Sequence, residues 1–192
     1  MSLASRQTGA LTPPSGQFRA AIRELPMAMG VVSFVRERSV VAFAASSVAA
    51  LSSDPPILTV CIERSALCSE LRATTAAFGV NILSSDQWEA ASQWAGGLSS
   101  VEEAQELRWT VAGDGAPLLV GALVVFDCTL DEIIERHDCA LILARVRAVA
   151  GKQGAAALVR RRGALEQLGW SAEEVAKSIG VAPARYASAA RL

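Results

Sequence analysis

Residues Val41–Leu83 read VAFAASSVAALSSDPPILTVCIERSALCSELRATTAAFGVNIL, and the rest of the chain is placed by this stretch. A β-rich run ends in a patch of small residues, Ala44, Ala45, Ser46 and Ser47. After the Pro55–Pro56 step a second apolar run, Ile57 to Ile62, leads straight into Arg64–Ser65 and a helical segment. A helix that opens off a strand end presents unpaired N–H groups and the positive end of its dipole. With a Ser hydroxyl and an Arg beside it, such a junction suits a phosphate. The small residues upstream leave room for a flat ligand to lie against the backbone and be read by N–H, C=O and hydroxyl groups. Each feature also has a plainer reading, since small residues permit close packing of another element and Ser65 is an ordinary helix cap.

Outward from this stretch the chain alternates short strands with a few helices. Met1–Gly16 is polar, without the apolar core of a secretory signal, and reads as an arm. Phe18, Ala21, Ile22 and Leu25 recur at helical spacing and Pro26 closes that helix. Val31–Val35 and Val40–Ala44 form an expected hairpin around Arg36–Ser39. On the C-terminal side Phe78–Leu83 reads as a half-buried strand with the polar Asn81 inside it, which must find a partner. Ser84 with Gln87 is a capping-box pattern for a helix carrying Trp88, Ala91 and Ala95 on one face, and Ser100 with Glu103 is a second such box. Trp88, Trp94 and Trp109 are assigned to the core or to a dimer interface. Strands follow at Trp109–Val111, from about Leu118 to Ile134, at Ala140–Ala150 and at Ala157–Arg160. The expected fold is mainly β with flanking helices, a barrel rather than βαβ winding. The G-x-G-x-x-G fingerprint is absent, which argues against a Rossmann domain.

Composition narrows the function. Eighteen Lys and Arg against nineteen Asp and Glu leave a net charge of −1, with no electrostatic reason to expect nucleic acid. No apolar run approaches the eighteen or so residues of a membrane span; the longest, Pro117–Phe126, stops at Asp127, and a cytoplasmic protein is expected. Cys61, Cys68, Cys128 and Cys139 form no C-x-x-C pair and His137 is the single histidine, so reduced thiols rather than a metal cage are expected.

The order Ser46–Ser47, Ser52-x-Asp54–Pro55–Pro56, an apolar strand, Arg64–Ser65, Leu71–Arg72, Phe78-x-Val80–Asn81–Ile82–Leu83 and Ser85–Asp86–Gln87, with Gly115–Leu123 matching G-x-P-L-L-x-G-A-L, resembles the flavin reductase family. The resemblance covers about Phe18 to Gly163 and implies an FMN-binding split barrel over 17–163, after a flexible arm at 1–16 and before a C-terminal helical extension at 164–192. It implies a homodimer that passes a hydride from NADH or NADPH to FMN or FAD, the reduced flavin diffusing to a partner monooxygenase. The flavin-contacting positions would be Ala44, Ala45, Ser46, Ser47 and Ser52, with Arg64 and Ser65 on the phosphate. Asn81 would either touch flavin or brace neighbouring backbone.

The segment His137–Val146 is similar to the family's G-D-H-x-I-x-x-G-x-V, which puts Cys139 where the histidine near the nicotinamide stands and Ala144 at the glycine. His137 falls two positions earlier, on the same expected strand face. Further departures are Ala44, where a Thr is common, Leu67 at the third position of S-x-T, and Ser99–Arg108, where the family's acidic-basic-aromatic loop is not recognisable. They sustain an alternative: a split barrel with a degenerate cofactor site, acting as a binding or assembly protein or as a non-reductase enzyme in the same pocket. Beyond Gly163, Ser171–Glu174 and Gly180–Pro183 resemble a mildly basic helix-turn-helix, read as packing on the barrel or across a dimer rather than as a DNA reader.

Overall fold

The computed structural model describes residues 15–45, 47–63, 71–72, 77–94, 107–111, 115–151 and 155–168. Helix α1 (Ser15–Ile22) precedes β1 (Met27–Ala28), β2 (Gly30–Arg36), β3 (Ser39–Ala45), β4 (Ser47–Ser53), β5 (Pro56–Glu63) and β6 (Phe78–Ile82). A 3-10 turn (Ser85–Gln87) then leads into α2 (Trp88–Trp94). It is followed by β7 (Trp109–Val111), β8 (Pro117–Leu119), β9 (Val124–Arg136), β10 (Cys139–Gly151), β11 (Leu158–Arg161) and β12 (Ala164–Gln167).

Seven strands make one sheet in the order β3-β2-β6-β9-β10-β5-β4, and every neighbouring pair is antiparallel. The two edge strands of that order are consecutive in the chain: β3 ends at Ala45 and β4 begins at Ser47. Two peptide steps span roughly 7 Å at most, so the sheet curls until its opposite edges meet there without a ladder between them. Gly30 marks the seam, since a Cβ on it would stand 2.6 Å from the Ala45 carbonyl oxygen and 3.0 Å from Val48 Cγ2. This closed but unpaired edge is the split barrel expected from the sequence.

Alternation along the strands fills two cores. Val32, Phe34, Val41, Phe43, Val60, Ile62, Phe78, Val80, Ala140 and Ile142 fill the barrel. The opposite faces of β2 and β3 present Val31 and Ala42 to a second core with Met29, Leu83, Ala91, Trp94, Leu119 and Leu158. Strand β2 is thus buried on both faces along Gly30–Phe34. A small sheet, β1-β11-β12, flanks the barrel and β7 pairs with β8.

Several expectations change. The long strand from Leu118 breaks at Val120–Gly121, where Gly121 takes φ 86° and turns the chain from β8 into β9. The first four residues assigned to the helical extension, Ala164–Gln167, are a strand paired with β11 through the left-handed Arg162–Gly163 turn. The expected capping box of Ser84 with Gln87 is present, the Ser84 N–H donating to Gln87 Oε1 at 3.3 Å, but it opens a 3-10 turn before α2, and the Ser84 hydroxyl also donates to the Gly121 carbonyl at 3.0 Å. Trp94 is buried and Trp109 packs on the second core, but Trp88 is exposed. The Glu37–Arg38 turn, with φ of 47° and 72°, joins β2 to β3 as the hairpin pattern requires. The second capping box at Ser100 and the helix-turn-helix-like segment lie outside the described residues.

Candidate functional site

The seam is where the small residues of the Ala44–Ser47 patch fall, and the fold explains their size. Ala45 points into the barrel and is 2% exposed, while Ala44 packs against the second core. Both side chains are therefore spent on packing, and any ligand at this point meets their backbone. Ser47 is exposed and opens β4, which runs along the sheet edge with Ala49, Ala50 and Ser53 also exposed. An edge strand with small side chains offers backbone N–H and C=O groups that a flat polar-edged molecule can reach. Ser52 is half-buried at the far end of β4, opposite Ile57 across a bulge. It stands roughly 15 Å from Ser47 along the strand. Ser46, Arg64, Ser65 and Leu67 lie outside the described residues.

Register brings Ser47 beside the nicotinamide-proximal candidate. Ser47 pairs with Cys61, Cys61 pairs with Leu141, and Cys139 lies two residues along β10, so Ser47, Cys61 and Cys139 share one face of the sheet. The other face of β5 and β10 carries Leu58, Val60, Ile62, Ala140, Ile142 and Ala144 into the barrel. Ala144 is fully buried there. Both Cys61 and Cys139 are half-buried free thiols. The Cys139 thiol is pushed up to about 11 by partial burial, by the neighbouring Cys61 and by the Asp138 carboxylate, so it stays protonated at neutral pH. Its sulfur lies 3.6 Å from Asp138 Oδ1.

His137 does not share this face. It occupies the β9–β10 turn at φ 54°, exposed, because a left-handed turn residue drops out of the strand's alternation. That conformation is the one a glycine favours. It fits the alignment that sets His137 on the glycine of G-D-H and Cys139 on its histidine.

Asn81 is fully buried and its amide is fully engaged: Nδ2 donates to the Val31 carbonyl at 3.0 Å and to Ser33 Oγ at 2.9 Å, and Oδ1 accepts the Leu119 N–H at 2.8 Å. Ser33 Oγ in turn donates to the Pro117 carbonyl at 2.6 Å. The Ala116 N–H reaches Asp127 Oδ1 at 3.3 Å, and Arg147 pairs with Asp127 at 3.0 Å. This network moors Ala116–Leu119 to the barrel, the bracing role. Sequence reading missed Ser33, Asp127 and Cys61; a polar residue inside an apolar run was the signal for the first two, and nothing local signalled the third. A separate cleft of about 470 Å³ between α2 and the small sheet, lined by Ser85, Trp88, Leu158, Leu165 and Gln167 among others, contains none of these positions.

No described helix is long and apolar enough to cross a membrane. Comparison with known proteins adds three relatives. FMN reductase (NADH) RutF of Ancylobacter novellus is 33% identical over 125 residues, 64% of this chain and 68% of the relative. A Rhizobium meliloti protein named "Probable flavin reductase" is 31% identical over 108 residues, 56% of this chain but only 34% of its own length, so the match spans about a third of it. The solved structure of BorF, the flavin reductase component of a bacterial two-component tryptophan halogenase, superposes with a TM-score of 0.72 at 26% identity, covering 82% of this chain and all of that one. The family model described as Flavin reductase like domain matches residues 22–169, and with the split barrel and the motif order in agreement, the chain belongs to that family.

Proposed function

We propose that this protein is a flavin reductase that takes a hydride from NADH or NADPH to FMN or FAD at the barrel seam and releases reduced flavin to a partner monooxygenase. The observation that carries the reading is the convergence of Ser47, at the head of an open small-residue edge, with Cys139, at the family's nicotinamide-proximal position, on one sheet face. The residues present fit a flat ring system: the β4 edge is exposed, its side chains are small, and its backbone groups face no described strand.

The bound flavin and nicotinamide supply the redox chemistry themselves, because a hydride passes between stacked rings without a side-chain acid or base. The chain's part is to bind, orient and exclude water. The β4 edge and Ser47 would read the flavin's polar edge, with Ser52 farther along. Arg64 and Ser65 would hold the phosphate, and the wall formed by Cys61 and Cys139 would bound the nicotinamide side. A homodimer fits the same reading, since the outward face of the sheet leaves Leu141 and Leu143 only half-buried and Leu51 largely exposed.

A second reading, a barrel that retains the fold without reductase activity, draws on Asn81 being wholly engaged inward and on Cys139 replacing an imidazole with a protonated thiol. Flavin titration followed by Trp fluorescence, with NADH oxidation in the presence of FMN or FAD, separates the two. Saturable flavin binding with flavin-dependent NADH oxidation is expected; absence of both would leave the second reading.

A further inference from the structure

We propose that one face of the small sheet β1-β11-β12 is a second ligand site, suited to a mononucleotide, in which Trp88 stacks the base while Arg23 and Arg160 hold the phosphate. Two hollows meet there. The cleft of about 470 Å³ described above has Ser85, Trp88, Leu165 and Gln167 in its lining. A neighbouring pocket of about 200 Å³ has Ile22, Arg23, Leu25 and Arg160, and Gly163 lines both. Register makes them continuous: Leu158 pairs with Gln167, while Arg160 pairs with Leu165 on β12 and with Met27 on β1, so these five side chains stand on one face of the sheet. None of the seam positions lines either hollow.

Charge selects the ligand. Four arginines line the smaller pocket, and two of them have carboxylate partners: Glu24 holds Arg162 at 2.7 Å and Glu166 holds Arg161 at 3.2 Å. The side chains of Arg23 and Arg160 have no such partner among the described residues, although Arg160 is half-buried, where a guanidinium without an anion is unfavourable. The Arg162 N–H donates to the Arg23 carbonyl at 2.7 Å, and a Cβ on Gly163 would stand 3.0 Å from Arg23 Nη2, so the Arg23 head lies over the turn that the two hollows share. Two guanidinium forks beside one turn suit the oxygens of a phosphate. Next to them Trp88, 57% exposed, offers an aromatic face on which a base can stack. The Ser85 hydroxyl and the Gln167 amide, also without partners among the described residues, can meet the polar edge of a base or a ribose. The joined hollows reach the size of about 300–1,000 Å³ that small-ligand sites commonly have.

Calorimetric titration of the full-length protein with AMP tests this, with adenosine, inorganic phosphate and a single-stranded RNA oligomer alongside. Saturable AMP binding is expected, with adenosine and phosphate each weaker by about tenfold or more. Arg23→Ala and Arg160→Ala should each weaken AMP by about tenfold or more, and Trp88→Ala by about fivefold or more. The two arginines hold no described partner, so urea midpoints near wild type are expected for both variants. Arg64→Ala, at the proposed flavin phosphate, should leave AMP affinity unchanged, and so should Arg136→Ala at the end of β9. No binding at millimolar AMP, or AMP affinity untouched by both Arg23→Ala and Arg160→Ala, would overturn the proposal. So would phosphate binding as tightly as AMP, which makes the pocket an anion patch only, or RNA binding far more tightly than AMP, which makes the face a polynucleotide surface. An AMP affinity that falls in Arg64→Ala but not in Arg160→Ala would put AMP at the seam and sink the second site while leaving the reductase reading intact.

Discussion

The side-chain oxygen of Asn81 accepts the N–H of Leu119 at 2.8 Å, so a polar residue in the middle of an all-buried strand fastens β8, a strand outside the seven-stranded sheet, to the barrel wall. Asn81→Ala removes this bond and those to Val31 and Ser33, leaving the Leu119 N–H and the Val31 carbonyl's extra donor unreplaced in a dry site. The variant should lose about 3 kcal/mol of stability. Its urea midpoint checks this, and a midpoint equal to wild type would show that the network is dispensable.

Gly30 has no room for a methyl group. Gly30→Ala would press on the Ala45 carbonyl and Val48 across the seam and should destabilise by about 1–3 kcal/mol. If flavin lies along β4, its affinity should fall in the same variant more than in Gly16→Ala, where a Cβ meets nothing within 4 Å.

Arg64→Ala and Ser65→Ala test the phosphate end. Loss of a charge-assisted hydrogen bond weakens binding by roughly 1.5–3 kcal/mol. An unchanged flavin dissociation constant in both variants would remove these residues from the site.

Cys139→His should speed flavin reduction while leaving flavin affinity nearly unchanged, because an imidazole positions a carboxamide or a held water better than a protonated thiol does. Stopped-flow reduction by NADH reads the effect. His137→Ala, changed at the exposed turn, should leave the rate at the wild-type value; a slow His137→Ala variant would place the work in the turn instead.

Cys128 gives an alkaline signature. Burial first, and then the Asp127 carboxylate, push its thiol from the ordinary value of 9.0 to about 12, with Arg147 opposing. Between pH 9 and 12 the unfolded chain releases this proton and the folded chain keeps it, so stability falls as pH rises, by at most about 1.4 kcal/mol per pH unit. Cys128→Val should flatten that slope when unfolding midpoints are compared from pH 8 to 10.5. Equal slopes in the two proteins would contradict the burial of a neutral thiol.

What the sequence disclosed and what it concealed divide along physical lines. The Glu37–Arg38 hairpin and the strands at Val31, Ile57 and Phe78 were legible because turn chemistry and alternation are local. The closure at Ala45–Ser47 was not: small residues there hinted at close approach, but only the pairing of seven strands shows that the two sheet edges meet at that point. Gly121 sat inside an apolar run that reads as one strand, and its left-handed turn is imposed by the way Leu119 and Ser84 hold the segment. The same limit hid Cys61 behind Cys139, since residues seventy-eight apart in the chain become neighbours only through register. His137 looked like a strand residue because period-two counting continues through a tight turn that the backbone does not respect.

The pairing of β1 with β11 bears on how the chain is born. Met27 meets Arg160 and Ala28 meets Val159, while the Arg162 N–H reaches the Arg23 carbonyl at 2.7 Å and its guanidinium grips Glu24 at 2.7 Å. On a ribosome the first strand therefore emerges long before its partner exists and waits through nearly the entire synthesis of the domain. At elongation rates of about 5–20 residues per second that wait lasts on the order of ten seconds. The barrel strands from β2 to β10 can assemble in the interval, and the small sheet is the last piece to lock. A ribosome stalled before residue 158 would hold a barrel whose opening strand has nothing to pair with.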